Sequence, residues 1–566
     1  MLEQAEQAEI VPPEILEPPA RDEYRHLHQA DCAQVLDGYL HRLARQDALC
    51  RRVLGRLAVA FLRRRGHHKL GFAKLGDYTR ERLGISGREF QKLARVARRL
   101  EELPGIAAAF EDGTISWTQA RLLVGVATAE TEREWLVLAR DRTVRALQAL
   151  LTARGQASVD DEVVEGEPRL RFWMRCPGRV RSLWRETVEL ARRMAGAELA
   201  PWQAAEAIGA EGLSAPESVP SPRPRATPPA AGDPDEPPLS CADWRNVREA
   251  IPEDVGRLVN DCDCVHVFRL DENLRRCLRQ IQRIDWQMGR LLRLFVDLRL
   301  HRFFGLPSSA RYVRERLGLS ARKMRTLVAL ERKTWHVPAL TDTYREGRIS
   351  WLGALTLLPV MSEAHGEAWV ARAGEVTLRR LVAEVEWALE SRRGSPPPLG
   401  TTLVVPEGQM RAHEEHELAD AELRFSGPAS VLALFRAAVV GLKQPAEPPW
   451  RGLERLLRHA KHEWTHQPRH RDPIFERDGW RCAVPICTAR MSLHDHHVVF
   501  RSRGGENSRD NRTAVCAWHH LRGIHRGVVK VSGRAPDDLV WEIGVRRGRP
   551  PLLRTHGECY LTAEAS

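Results

Sequence analysis

The chain repeats itself. Between Tyr78 and Leu123 it matches residues 312–357 at a constant offset of 234, without a gap and with 17 of 46 positions identical. YTRERLGISGREFQKLARVARRLEELPGI answers to YVRERLGLSARKMRTLVALERKTWHVPAL, and EDGTISWTQARLL to REGRISWLGALTL. Matched pairs include Tyr78 with Tyr312, Gly84 with Gly318, Ser86 with Ser320, Pro104 with Pro338 and Ser116-Trp117 with Ser350-Trp351. Self-similarity at a fixed offset marks a module used twice, so one folding solution must serve both halves.

The match extends more weakly on both sides. RLAVAFLRRRG and RLLRLFVDLRL read as helices of the same phase, and the LRF triplets at Leu170 and Leu423 as corresponding short strands, each followed by another helix. Copy one is expected over 36–212 and copy two over 270–465. Residues 1–35 read as a disordered acidic tail, and 213–269 as a linker and connector, with nine prolines between Glu211 and Ser240. The Cys262-Asp263-Cys264 triplet in the connector is assigned no chemistry.

Inside each copy apolar residues recur at three and four positions, as in Leu93, Val96, Ala97 and Leu100, the pattern of an amphipathic helix. Ser86 and Ser320 follow a Leu-Gly turn, where one helix ends at glycine and the next starts on a serine cap. A helix, a short turn and a capped helix are compatible with a helix-turn-helix. The second helix carries Arg88, Lys92, Arg95, Arg98 and Arg99 in copy one, and Arg322, Lys323, Arg325, Arg332 and Lys333 in copy two. These residues either contact phosphate, with steep salt dependence, or form the solvated face of an ordinary helical domain.

Composition sets outer limits. A chain of 566 residues with 43% hydrophobic content fills several globular domains. A net charge of +12 favours a polyanionic partner without distinguishing DNA from RNA or acidic lipid. No apolar run approaches the roughly 18 residues of a membrane span, and the acidic start has no signal-peptide layout. A soluble, cytoplasmic protein without a membrane or small-molecule partner is expected, and cysteines outside metal sites should be reduced thiols.

The chemistry concentrates between Leu493 and His525, in LHDHHVVFRSRGGENSRDNRTAVCAWHHLRGIH. Phosphodiester cleavage needs a base to activate water and a cation to neutralise phosphate charge. Imidazoles can serve as base and as ligands. Interleaved with them, Cys482 and Cys487 in CAVPIC and Cys516 and His519 in CAWH match a closed Cys3His structural zinc site delivered as two close pairs. Gly504 and Gly505 suit a tight turn, and Arg501 and Arg503 can reach phosphates or remain solvated. VVKVSGRAPDDLVWEIG reads as a closing β-hairpin from about Val528 to Ile543.

This segment resembles the HNH, or ββα-metal, nuclease family in its zinc-knuckle form. The resemblance implies His497 as general base, His496 as metal ligand, Asn511 as the residue that holds the loop and orients the base, and His520 and His525 as further ligands. In the family the two helical ligands usually stand four residues apart, whereas His520 and His525 are five apart. Five residues turn an ideal helix by about 500°, so the rings diverge unless the helix is distorted near Gly523. Asp495 and His494 are the alternative third ligands. The passage from Gly84 through Leu103-Pro104 to Ser116 resembles both the helical DNA-binding core of ParB-type partition proteins and a helical domain of unknown function often found ahead of HNH domains in bacterial proteins.

The expected architecture is therefore α+β and multidomain: a duplicated, mainly α-helical region, an HNH domain of the ββα-metal fold over 466–548, and a tail over 549–566. The expected activity is metal-dependent DNA endonuclease, using Mg, Mn, Ni or Zn at the catalytic site and a structural zinc. The alternative is a non-catalytic DNA-binding protein that keeps a degenerate, zinc-stapled HNH module. His462-Glu463-Trp464-Thr465-His466 also spells the HExxH pattern of zinc peptidases. It runs into a proline two residues on and lacks an evident third ligand, so it reads as the polar end of a connecting helix.

Overall fold

The computed structural model describes residues 29–153, 169–213, 253–260, 262–334, 336–391, 393–401, 403, 421–465 and 473–561. Most of the expected acidic tail and proline-rich linker, and His466, lie outside the described residues. In chain order run α1 (Gln29–Arg63), α2 (Gly87–Glu102), α3 (Trp117–Leu123), α4 (Val144–Ala153), β1 (Arg169–Cys176), α5 (Gly178–Ala195) and α6 (Pro201–Leu213). The second half brings α7 (Val267–Asp297), α8 (Ala321–Thr334), α9 (Trp351–Leu357), α10 (Leu378–Ser391), β2 (Ala421–Pro428), α11 (Ala429–Gly441) and α12 (Pro449–Thr465). Mainly helical with small sheets, the chain is compatible with an α+β multidomain layout. No helix among the described residues is long and apolar enough to cross a membrane.

The copies do not fold as the two consecutive blocks 36–212 and 270–465. The described residues of 29–153 and 253–399 form one unit, and those of 169–213 and from 400 onward a second. Each copy is divided after α4 or α10, and like parts join like. The physical reason is that each copy's exposed apolar and polar groups are satisfied by the other copy.

In the first unit α1 packs along α7, and the contacts are reciprocal at the offset of 234. Asp271 on α7 accepts from Tyr78 Oη at 3.0 Å and Arg82 at 2.6 Å. Asp37 on α1 accepts from Tyr312 Oη at 2.6 Å and Arg316 at 2.7 Å. The Glu81 carboxylate accepts from Leu378 N at the start of α10, at 3.1 Å, while Glu315 accepts from Val144 N at the start of α4, at 2.6 Å. Each copy therefore supplies the N-terminal acceptor of the other copy's helix.

The turn read from Leu-Gly-Ile is part of this junction. Gly84 has φ +63°, and a Cβ there would lie 2.2 Å from Ser350 Cβ of the other copy, so both backbone angle and space exclude a side chain. Ser86 accepts from Glu89 N at 3.1 Å and Ser320 from Lys323 N at 3.1 Å, as serine caps do.

Part of the expected phosphate-facing set is committed to the fold instead. Lys323 lies 3.2 Å from Asp47 and 2.7 Å from Asp285, two buried carboxylates. At the equivalent place in copy one the signs are exchanged, with Arg51 3.2 Å from Glu89. Lys92 is buried; Arg99 donates to Val124 O and Ala127 O, and Lys333 to Met361 O. Arg88, Arg95, Arg98, Arg322 and Arg325 are exposed.

Removing a buried, doubly paired carboxylate strands its partners. Asp271→Ala is expected to destabilise the first unit by roughly 3–5 kcal/mol, read as a lower urea midpoint with unchanged slope. Burial opposes ionisation of Asp37, but hydrogen bonds from His41 and Arg316 outweigh it and hold the carboxyl well below the ordinary range. Its folded pKa is lower than its unfolded value, so its contribution is present above the usual carboxylate pKa and is lost on acidification below it. Urea midpoints measured from pH 6 downwards should show this loss, and Asp37→Asn should flatten it.

In the second unit the LRF triplets form β1 and β2, which pair antiparallel with Phe172 opposite Phe425. Their inner faces close on α5, α6, α11 and α12 through a core that includes Phe172, Trp184, Phe425, Phe435, Leu453 and Leu456. Glu463 is exposed near the end of α12.

The C-terminal part contains β3 (Leu493–His497), β4 (Arg512–Cys516), β5 (Val529–Arg534), β6 (Asp538–Ile543), β7 (Leu553–His556) and β8 (Cys559–Tyr560). The expected closing hairpin is β5–β6. The stretch from 549, expected as a tail, adds β7 and β8 to that sheet, with Trp541 opposite Thr555 and Thr555 buried. Its alternation, exposed Arg554 and His556 around buried Thr555, was the available signal. Arg490 ties this region to α5 and the turn beyond it by pairing with Glu189 and Glu198.

Candidate metal centres

The frame of both centres is the β3–β4 hairpin, registered from Leu493 opposite Cys516 to His497 opposite Arg512. Asp478 fixes β4 by accepting from Ala514 N at 2.7 Å and Thr513 Oγ1 at 3.1 Å. Ala483 N donates to Ala514 O and Cys482 N to Ala489 O, which lays the cysteine loop against β4.

Cys482, Cys487, Cys516 and His519 are all buried, and their ligand atoms lie within 4.8 Å of one another. Cys516 Sγ is 3.3 Å and Cys482 Sγ 3.5 Å from His519 Nδ1. Backbone amides also face the sulfurs, Ala489 N to Cys487 Sγ at 3.4 Å and His519 N to Cys516 Sγ at 3.5 Å. Hydrogen bonding with Cys482 and Cys487 carries the Cys516 thiol far below its ordinary range. Burial alone would lower His519, but the charges on Cys482 and Cys516 push it up to about 10. The cluster concentrates negative charge in a buried place, a donor set that can hold a metal ion.

The second cluster is His496, His520 and His525, again within 4.8 Å. His496 sits on β3 and is 1% exposed, and its Nε2 is buried without a hydrogen-bond partner. An orphaned ring nitrogen facing two other imidazoles fits a cation better than it fits a packed core. Burial, then the neighbouring His520, His525 and His497, carry His496 down to about 4. His520 is lowered by burial, His525 and His494. Both rings are thus available as neutral ligands at neutral pH.

The spacing of five is resolved by the backbone. Residues His519–Ile524 form a π-helix, and His525 N donates to His520 O at 3.1 Å. An i→i+5 bond returns residues five apart to one face, so the ring centroids of His520 and His525 stand 4.8 Å apart and their Nε2 atoms 3.2 Å apart. Gly523 is not what permits this, because a Cβ there would make only ordinary contacts, the nearest at 3.4 Å.

Neither alternative ligand belongs to this cluster. His494 Nδ1 lies 2.9 Å from His520 Nδ1, behind that ring, and Asp495 is paired with Arg512.

His497 points elsewhere. Its Nε2 is 3.0 Å from Asn507 Oδ1. Asn511 clamps the loop rather than touching this ring: its Oδ1 accepts from Val499 N at 2.8 Å, and its Nδ2 donates to Val499 O at 3.1 Å and Glu506 O at 2.7 Å. Gly505 is part of the clamp, since a Cβ would fall 1.8 Å from Val499 O. The loop so held presents Asn507, a residue the sequence reading did not single out. Its only signal was an amide in a short loop between two glycines and Asn511. Arg501 and Arg503 are exposed on a 3-10 turn, Arg503 lying over the Phe500 ring at 5.3 Å.

A model for a domain of unknown function, DUF222, matches residues 36–165. No curated protein and no solved structure matches the chain. The match runs from within α1 through α4, the copy-one side of the duplicated unit.

Proposed function

We propose that the chain is a metal-dependent endonuclease of the HNH class that hydrolyses DNA phosphodiester bonds. The observation that carries this reading is the convergence of His496, His520 and His525 beside a separately oriented His497. The helical match supports it, because DUF222 domains commonly accompany HNH endonucleases. Basic net charge suits the polymer.

His496, His520 and His525 would hold a divalent cation such as Mg, Mn, Ni or Zn. When bound, such a cation supplies charge neutralisation at a scissile phosphate. His497 takes the proton from the attacking water at its free ring nitrogen. Asn507 fixes the ring of His497 through Nε2, and Asn511 fixes the loop that carries Asn507. Arg501 and Arg503 face solvent, where they can meet flanking phosphates. Cys482, Cys487, Cys516 and His519 would hold a structural zinc, which three thiolates and an imidazole suit.

The test is nicking of supercoiled plasmid by purified protein with Mg2+, Mn2+ or Ni2+. His497→Ala should slow cleavage by at least about a hundredfold, the usual scale for a lost general base. Equal rates for parent and variant would remove His497 from the chemistry. Salt-sensitive DNA binding with no cleavage under any of the metals would establish the non-catalytic alternative. Glu463→Gln, exposed on α12, should leave cleavage unchanged.

A further inference from the structure

The β1–β2 ribbon buries only one face. Phe172 and Phe425 stack at 4.9 Å on the inside, and Trp184 stacks on Phe425 at 5.4 Å. The outer face carries Arg171, Trp173 and Arg175 from β1 and Glu422, Arg424 and Ser426 from β2, in a register that sets Trp173 opposite Arg424. Trp173 is 56% exposed, the most exposed tryptophan among the described residues. Arg175 and Arg424 have side chains 68% and 67% exposed. Arg436 of α11 stands at the ribbon edge, donating to Arg171 O at 3.5 Å.

Glu422 is the only acid in this set, and it pairs with Arg424 and, at 3.8 Å, with Arg175. Four arginines against one glutamate leave a net positive face centred on an indole. An exposed indole offers solvent a flat π-face on which another planar ring can stack. The chemistry that satisfies both features is a polyanion with planar apolar rings. In a duplex those rings are stacked on one another and only their edges face outwards, so an indole plane is matched by unpaired bases.

We propose that the outer face of the β1–β2 ribbon binds an unpaired stretch of DNA, with a base stacked on Trp173 and flanking phosphates on Arg171, Arg175, Arg424 and Arg436. The choice of DNA as the polymer rests on the nuclease reading; the stacking surface does not. Such a surface favours a strand that is single-stranded or locally opened over relaxed duplex.

The experiment is fluorescence anisotropy of the full chain with a labelled oligothymidylate of about 16 nucleotides, the upper range of one stacking platform. No divalent metal is added, so cleavage plays no part. Trp173→Ala should weaken binding roughly tenfold, Trp173→Phe should retain most of it, and affinity for a duplex of equal length should barely change. Arg171→Gln combined with Arg424→Gln should reduce the salt slope by about 1.4, or 0.7 per phosphate released. Because these side chains lie outside the core, the pair also serves if Trp173→Ala folds poorly.

Equal oligothymidylate affinity in Trp173→Ala and parent overturns the proposal. So does a larger loss for duplex than for single strand, which would mean insertion into a groove. A parent dimer that Trp173→Ala dissolves without touching oligonucleotide binding also overturns it, since the face would then meet a second copy. A failed nuclease test with this binding pattern intact would remove only the cleavage reading.

Discussion

Cys516→Ser should release a tightly bound metal ion and loosen the β3–β4 hairpin. Cys516 lies at the end of β4 and its sulfur touches the His519 ring, so one residue joins strand to π-helix. Structural zinc binding in small domains is worth roughly 10–16 kcal/mol at neutral pH, far above the net stability of a typical domain. Serine cannot replace a thiolate, and the remaining donors would stay buried and underused. Zinc per chain by elemental analysis should fall from about one towards zero. Amide exchange across β3 and β4 should accelerate by several orders of magnitude. Cys277→Ser is the matched control: its thiol is also buried, donates to Cys50 O at 3.3 Å and is pushed up to about 12 by burial, but it belongs to neither candidate metal-ligand cluster among the described residues. Retention of the ion and of slow exchange in Cys516→Ser would show that the four residues form an ordinary buried cluster.

The second large effect is expected at the histidine cluster. His496→Ala, His520→Ala and His525→Ala should each lower metal-dependent cleavage by roughly a thousandfold, since the cation's charge stabilisation is worth several kcal/mol and each 1.4 kcal/mol is tenfold. His494→Ala should cost only about tenfold to a hundredfold, because His494 contacts the back of His520 and positions it. Titration calorimetry with Mn2+ separates the causes: the three ligand variants should lose binding, and His497→Ala should keep it. If His525→Ala bound metal and cleaved like the parent, the π-helix would have no bearing on the site. An Asn507→Ala variant that lowers the rate while leaving metal affinity intact would mark Asn507 as a positioning residue.

Much of this was legible in the chain because spacing is a physical constraint. The two cysteine-containing pairs announced a cluster, and the offset of 234 announced equivalent helices, caps and turns. The five-residue interval between His520 and His525 announced a distortion, although a π-helix and an early helix end are not separable from residue types alone. Identity between copies reports that two surfaces are alike; it does not report whether each is covered from within its own copy or by the other. That is why Asp37 and Asp271 gave no signal, and why Lys323, read as an outward cation, neutralises buried acids. Asn507 was invisible because its role depends on a loop held by Asn511 and Gly505. β7 and β8 were missed because short strands alternate too briefly to stand out from the expected C-terminal tail.

The reciprocal junction also has a timetable. Asp37 finds Arg316 across 279 residues of sequence, and the Glu81–Leu378 contact spans 297. At roughly 5–20 residues per second of synthesis, α1 emerges about 12–47 s before α7, which stands 234 residues further on. Throughout that interval the face of α1 that α7 will cover has only solvent, chaperones or another nascent chain to meet. A polypeptide ending before α7 would accordingly satisfy itself by pairing two chains, turning an intramolecular pair into a homodimer.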